Sequence, residues 1–446
     1  MNLNKKLLIK TIGAAIGAVL VSGVSTVHSA NWLALQGTEP DGQSARARVW
    51  GFVQPEYQST DGTKLKAGPW NDQNAIFNQI APDLKTNSQF SIRRARIGVR
   101  GTGFPLDNKV NYFFLAEFGN NGITRAGGQA GGAKVTDASV TLSHIPGVRI
   151  RAGQFKTPGA EEGLAAIHVF DYVNFTGVTN GLLLERFFNS DGSVDGGGNG
   201  PNGSVGAFRD VGIQFFNTFK FASWEHSYAL MFGNGNGIAR GDNDDNRETY
   251  IYWSSELVFG GKGGRRQGWK MFVWNQDGKR TINAGATQAT DEFDRTRTGL
   301  GTTFRKGKYR AAFEYITADG MIFNGTDGGA LPGASNNAGT ATASFNMETK
   351  GEADGYYGHF GYAIMPSLEL DLRYDIYNRM TDVAAKERQF TTTTLGAQYF
   401  FNKKSRLIVN YEVRDGEAPN APGSAGPNQI LDGLDDRLSA QLLIIF

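Results

Sequence analysis

Arginine recurs at short spacing in FSIRRARIGVRG, residues 90–101, where Arg93, Arg94, Arg96 and Arg100 interleave with small or branched apolar residues. VRIRAGQFKTP at 148–158 repeats the theme with Arg149 and Arg151. A strand sends alternate side chains to opposite faces. With Ala95, Ile97 and Val99 on one face, Arg94, Arg96 and Arg100 share the other, and the same parity pairs Arg149 with Arg151. Arg295, Arg297 and Arg310 follow by the same rule, with Glu117 and Asp137 as acids on those faces. Arg93 falls on the apolar side, at a strand end where it snorkels or sits in a bulge. Opposite charge collects in residues 157–207, which hold Glu161, Glu162, Asp171, Glu185, Asp191 and Asp195 against Arg186 alone, with no lysine. Guanidiniums facing carboxylates across water set up a field that sorts ions and orients polar solutes.

Bond-making chemistry finds little support. His144, His168, His226 and His359 have no ligand spacing, and the chain has no cysteine. Asp242, Asp244 and Asn246 begin like a calcium loop, but Arg247 stands where glycine is required and Trp253 where glutamate is required. The runs GNGNG and GGKGG lack phosphate-loop spacing. The expectation is therefore no catalytic residue, no metal and no cofactor. Near-balanced charge gives no footprint for nucleic acid.

The elements carrying these residues read as strands. KVNYFFLAEFG at 109–119 puts Val110, Tyr112, Phe114, Ala116 and Phe118 on one face. SLELDLRYDIYNR at 367–379 sets leucines, Tyr374 and Ile376 against Glu369, Asp371, Arg373 and Asp375. The template gives sixteen strands, near 46–57, 88–102, 108–119, 134–143, 147–156, 208–219, 222–233, 248–259, 267–276, 293–305, 308–318, 354–365, 367–379, 389–402, 404–414 and 435–446. Long connections (58–87, 120–133, 157–207, 234–247, 277–292, 319–353, 380–388, 415–434) alternate with short ones such as SHIPG, RKGK, MPS and NKK. An even set of amphipathic strands with short turns at one end and long loops at the other is the pattern of a transmembrane antiparallel β-barrel. Closure supplies every backbone hydrogen bond in hydrocarbon, and aromatics such as Trp50, Tyr57, Phe304, Tyr309 and Phe400 sit at strand ends as interfacial girdles do.

The first thirty residues form a separate unit. Lys5, Lys6 and Lys10 precede a short Gly/Ala-rich apolar core and small residues before Asn31. This predicts a signal peptide over 1–30, cut after Ser29 or Ala30, and a barrel domain over 31–446. Removing the three lysines turns the formal charge from +2 to −1. An exported chain with no disulfide must find its stability elsewhere, and a closed sheet supplies it.

The run RRARIGVRG, then KVNYFFLAEF, then VRIRAGQFKTP, with LERFF at 184–188, RDVGIQFF at 209–216 and the terminal Phe446, resembles the phosphate-selective porin (porin O and P) family of bacterial outer-membrane proteins. The resemblance implies a sixteen-stranded barrel in outer-membrane lipid, a homotrimer, a third loop folded into the pore, and Phe446 as the signal read by the barrel assembly machinery. It also implies a lysine cluster at the constriction. Residues 157–207 have none, so phosphate does not carry over as the substrate.

These readings together lead us to expect a passive channel for small hydrophilic solutes or ions. Arg94, Arg96, Arg100, Arg149, Arg151, Glu117, Arg295, Arg297 and Arg310 would line the pore. Glu161, Glu162, Asp171 and Glu185 would form the constriction loop, facing the arginine wall of strands two to five. The alternatives are an anion channel selective for phosphate or a related oxyanion, and a surface scaffold or adhesin presenting Gly/Asn-rich loops.

Overall fold

The computed structural model describes residues 32–35, 46–77, 86–103, 107–119, 132–184, 208–235, 237–238, 242, 245–261, 265–283, 290–325, 329–330, 334–341 and 346–446. The expected signal peptide and Glu185 lie outside the described residues. The strands are β1 Arg48–Thr60, β2 Ser88–Thr102, β3 Val110–Glu117, β4 Lys134–Ile145, β5 Val148–Lys156, β6 Arg209–Phe221, β7 Trp224–Gly233, β8 Glu248–Gly260, β9 Gln267–Asn283, β10 Thr290–Lys306, β11 Tyr309–Asp319, β12 Ile322–Gly325, β13 Asn346–Glu348, β14 Glu352–Met365, β15 Leu368–Arg379, β16 Arg388–Asn402, β17 Ser405–Glu417 and β18 Arg437–Ile445. Short helices are α1 Trp32–Leu35, α2 Glu161–Leu164, α3 Gly177–Leu182 and α4 Gly426–Leu431.

Sixteen of these strands close into one antiparallel barrel, each pairing with its chain neighbours and β18 returning to β1. β12 and β13 form a separate hairpin, so β11 pairs directly with β14. The expected sixteen strands are all present. The hairpin was missed because its strands, four and three residues long, are too short to show a period. Strands β9 and β10 each run 17 residues, longer than expected, and pair to each other beyond the apolar belt.

Alternation explains the wall. Phe114, Ile97, Val140, Leu142, Leu300, Leu370, Leu372, Tyr374, Tyr411 and Val413 face outward and stay exposed. Their neighbours, such as Asn111, Thr141, Gln214, Ser227, Glu314, Asp371, Arg373, Asn410 and Glu412, are buried inside. In water such an exposed apolar surface would be a liability; in lipid it is the solvent-matched face. Two-residue turns close one end at Pro146–Gly147, Ala222–Ser223, Gly307–Lys308, Pro366–Ser367 and Lys403–Lys404.

The seam between β1 and β18 closes on Phe446. Gly51 N–H donates to the Phe446 carbonyl at 3.2 Å and Phe446 N–H to the Gly51 carbonyl at 3.0 Å. A Cβ on Gly51 would lie 2.5 Å from the Phe446 ring and 2.4 Å from the Arg96 carbonyl. Position 51 therefore takes only glycine. Gly51→Val is expected to cost about 3 kcal/mol or more through this overpacking and to lower the yield of folded, heat-modifiable barrel. Gly358→Ala has no atom nearer than 4.0 Å to its new methyl and should assemble as the parent does, both read by electrophoretic mobility with and without boiling.

Candidate functional site

The lumen is crossed by the segment that joins β5 to β6. Its described part, 157–184, enters over α2, crosses 165–176 as irregular chain and ends in α3. Most of 162–164 and 172–184 is buried. Backbone groups taken from water need partners, and inward side chains of the wall supply them. Glu314 accepts from Glu161 N–H at 3.1 Å, Asn410 from Val173 N–H at 2.7 Å and Asp375 from Gly177 N–H at 2.7 Å. Arg373 donates to the Asn174 carbonyl at 2.9 Å, Arg297 to Leu182 at 2.9 Å, Lys156 to Ala165 at 2.5 Å, and Arg406 to Phe170.

The loop's acids also bind this wall. Glu161 meets Lys270 at 2.5 Å and Glu162 meets Arg373 at 3.3 Å. Asp171 lies 2.9 Å from Arg265, 3.3 Å from Arg310, 3.7 Å from Arg305 and 3.9 Å from Arg406. Glu369 and Asp371 complete the cluster on Arg310. Burial opposes ionisation of Asp171, yet Arg310, Arg265 and Arg305 hold its carboxyl far below the usual carboxylate range. The expected facing of these acids toward strands two to five is therefore corrected: their cations stand on β9, β10, β11, β15, β17 and the turn before β9. Sequence alternation shows that a charge points inward but not which wall it will meet.

The arginine wall has its own arrangement. Arg96 pairs with Glu117 at 2.7 Å, and Glu117 also accepts from Ala95 and Gly119 N–H groups. Arg94 donates to Gln54 at 3.1 Å. Arg151 donates to the Leu33 carbonyl of α1 at 3.4 Å and lies 4.5 Å from the Phe216 ring centre. Arg100 sits 5.5 Å from the Phe113 ring centre, and Arg149 is inward and half-buried. Arg93 turns inward at the register shift between Gln54 and Pro55 and meets Glu56 at 3.3 Å and Asn174 at 2.9 Å. Arg295 and Arg280 share Glu248. Arg297 is inward, but its donors go to the carbonyls of Leu182, Thr296, Asp319, Gly320 and Met321. It clamps the end of α3 to the end of β11. Asp242 of the calcium-like stretch is paired to Arg247.

Several residues that build the site were not foreseen. Glu314 is fully buried and takes hydrogen bonds from Trp274, Tyr357 and Glu161. Its parity with Arg310 was the available signal. Lys156 lies in the GQFKTP motif, but strict alternation from Arg151 points it outward. The kink at Gly153, φ +123°, interrupts that alternation, and Gln154, Phe155 and Lys156 are all buried. Trp32 and Leu33 enter the lumen from α1, and nothing in their sequence marks them for it.

Two cavities flank loop residues 165–170, and Trp32 borders both. One, of about 150 Å³, lies against β8–β11 and β14, with Glu161, Asp171 and Glu256 balanced by Arg266, Lys270 and Arg310. The other, of about 240 Å³, lies against β1–β5 and is largely apolar, with Arg96, Arg100, Lys156 and Arg209 around it. His168 closes its loop side, tilted against Phe52 at 5.4 Å and edge-on to Trp50 at 5.7 Å, ring centre to ring centre.

A family model described as "Phosphate-selective porin O and P" matches residues 64–165, which carry the arginine-rich β2 and GQFKTP. The resemblance read from the sequence is thus borne out over that segment. No curated protein matches the chain. Among solved structures, the anion-selective porin from Comamonas acidovorans aligns at 13% identity and TM-score 0.52, covering 91% of this chain and 100% of its own. Salmonella typhi OmpF in complex with daunomycin aligns at 12% and 0.53, covering 90% and 97%. The trimer form of Vibrio cholerae OmpT aligns at 10% and 0.50, covering 90% and 99%. At these identities the likeness is one of fold. The porin-family match over residues 64–165, set in a closed sixteen-stranded barrel, supports the role of an outer-membrane channel.

Two outcomes follow from the loop's anchors. Asp171→Asn leaves several buried guanidiniums short of one charge, which should destabilise the barrel by about 3 kcal/mol, measured as a lower thermal midpoint in detergent. His168 is depressed by burial and then by Arg406, Lys156, Arg96 and Arg100, to about 4 from an ordinary 6.5. The unfolded chain therefore takes the proton first as pH falls, so stability declines from about pH 6.5 to about pH 4, by on the order of 3 kcal/mol in all. His168→Gln should remove that part of the acid sensitivity, seen as a smaller drop in midpoint between neutral pH and the acid end.

Proposed function

We propose that the protein is a narrow passive channel for small hydrophilic solutes and ions, synthesised with a cleaved leader over residues 1–30 and working as a homotrimer without catalytic chemistry. One observation carries the reading: the third loop lies across the lumen, and the two cavities beside it are bordered by ionised side chains. A lumen of this kind discriminates by size and charge at the loop. Arg94, Arg96, Arg100, Arg149, Arg151, Glu117, Arg295 and Arg310 are the wall groups proposed to set the field, with Glu161, Glu162 and Asp171 on the loop. Phe446 at the closing seam is the proposed assembly signal. The trimer is supported by the fold-mate whose structure is described as a trimer form.

An oxyanion-selective channel is the second reading, favoured by Lys156. Its ammonium group reaches the constriction beside Arg96 and Arg209, which partly answers the missing lysines of the loop.

Planar-bilayer recording under a KCl gradient separates the two. The general channel should give small single-channel steps and weak selectivity that phosphate leaves unchanged. Arg100→Gln should move the zero-current potential toward cations by several millivolts, on the order of one lost charge near the pore. Block by phosphate well below the KCl concentration would establish the oxyanion channel. Absence of any steps would refute both.

A further inference from the structure

One hairpin turn sets two ammonium groups on the lipid-facing side of the barrel. Lys306 ends β10, and Lys308 follows it across Gly307. Lys306 Nζ lies 5.1 Å from the Phe259 ring centre and Lys308 Nζ 5.9 Å from that of Tyr362. Both rings belong to the outward set of their strands, β8 and β14, as do Phe304, Tyr309 and Phe360 beside them. Phe259 stands 6.0 Å from Phe304; Tyr309 stands 5.2 Å from Tyr362 and 6.3 Å from Phe360. The Gly307 N–H donates to Gln267 Oε1 at 2.9 Å, which fastens the turn to β9. Among the described residues neither lysine reaches a carboxylate, and both are exposed.

This wall is charged oppositely at its two ends. Asp277, Asp294 and Asp354 have outward parity on β9, β10 and β14, and all three lie toward the long loops. From Asp294 to Lys306 is about 40 Å of strand, or about 30 Å along the membrane normal at the usual tilt. That matches the hydrocarbon layer, so the lysines stand at headgroup depth on the side of the short turns. In an outer-membrane barrel this is the periplasmic side. Toward the midplane the wall dips: Ala311 and Gly358 face outward among Tyr309, Phe313, Tyr356 and Phe360. A Cβ on Gly358 would have no heavy atom nearer than 4.0 Å.

An ammonium held on a ring face still has donors free for an anion on its far side. The anion present at this depth is a lipid phosphate, which lysine binds as a point charge. A headgroup with its own ammonium would set that charge beside two lysines, with no outward acid at this end among the described residues. A headgroup whose only charge is the phosphate meets no such repulsion.

We propose that the β10–β11 turn binds one anionic phospholipid of the periplasmic leaflet, of the phosphatidylglycerol kind, with its phosphate at Lys306 and Lys308. Its glycerol backbone lies against Tyr309 and Tyr362, and one acyl chain runs over Ala311 and Gly358. The site is separate from the solute path, because both lysines stand on the outer face of the barrel.

The test is native mass spectrometry of the full-length purified protein, mixed in detergent with equimolar phosphatidylglycerol and phosphatidylethanolamine of matched acyl chains. A lysine at a membrane surface favours anionic lipid by about fivefold, so phosphatidylglycerol should be retained at least about tenfold over phosphatidylethanolamine. Lys306→Gln with Lys308→Gln should cut that preference to about twofold or less. Lys403→Gln with Lys404→Gln removes the same charge from the β16–β17 turn at the same end, where neither lysine sits on a ring. That pair should leave the preference intact. Equal loss in both double variants would overturn the site, since diffuse charge would then hold the lipid. Equal retention of the two lipids would overturn it too. So would displacement of phosphatidylglycerol by inorganic phosphate at equal concentration, the mark of a free-anion site. None of these readouts needs a current, so the site stands or falls apart from the channel reading.

Discussion

A chain segment drawn into the lumen of a barrel loses water from its peptide groups, and each one left unsatisfied costs about 1–3 kcal/mol. The rest of this structure depends on how that cost is met. Short helical turns satisfy part of residues 161–184, as where Leu183 N–H donates to the Thr179 carbonyl, and the wall supplies partners for groups the segment leaves open. Glu314, Asp375 and Asn410 provide acceptors; Arg297, Arg373, Arg406 and Lys156 provide donors. These seven residues lie on five strands, β5, β10, β11, β15 and β17, so the loop is tied to both its own wall and the wall opposite.

Charge density in the lumen follows from this arrangement. A carboxylate that holds an amide must itself be kept from isolation, and a guanidinium on a carbonyl needs an acid nearby to offset its desolvation. Arg373 shows the coupling directly: it donates to the Asn174 carbonyl while reaching Glu162 at 3.3 Å and Glu412 at 3.7 Å. Asn174 in turn joins Arg93, Gln58, Glu412 and Ser439. A lumen rich in ionised side chains is thus partly scaffolding. Arg96 borders a cavity while Arg297 is spent on backbone carbonyls, so two residues that both point inward by sequence parity differ in role.

The barrel itself was legible because membrane physics imposes a simple code. Lipid on one side and water on the other force period two on every strand, and SLELDLRYDIYNR or KVNYFFLAEF displays it without ambiguity. The inward set was legible for the same reason. The code fails where local geometry breaks the period: Arg93 is turned inward by a register shift, and Lys156 by the kink at Gly153. It is silent on which walls face each other, since that depends on closure and on how an irregular loop crosses the lumen. Hence Asp171 was recognisable as a constriction acid, while its partners Arg265, Arg305, Arg310 and Arg406 were not. Trp32 and Leu33 stand beyond any periodic element, and only the folded lumen reveals them as part of its filling.

Selectivity in such a channel is a residue of folding. The acids of the loop are matched so closely by the β9–β17 side that this half presents a nearly neutral, dipolar surface. The β1–β5 side pairs Glu117 with Arg96 and Asp137 with Arg209 beside an aromatic floor. The loop, starting at the end of β5, sends its acids Glu161, Glu162 and Asp171 to the far wall while its backbone and His168 stay in contact with β1 and β5. A loop with lysines in place of Glu161, Glu162 and Asp171 would be repelled by that far wall, so the departure from a lysine-lined constriction and the path of the loop are one fact seen from two sides.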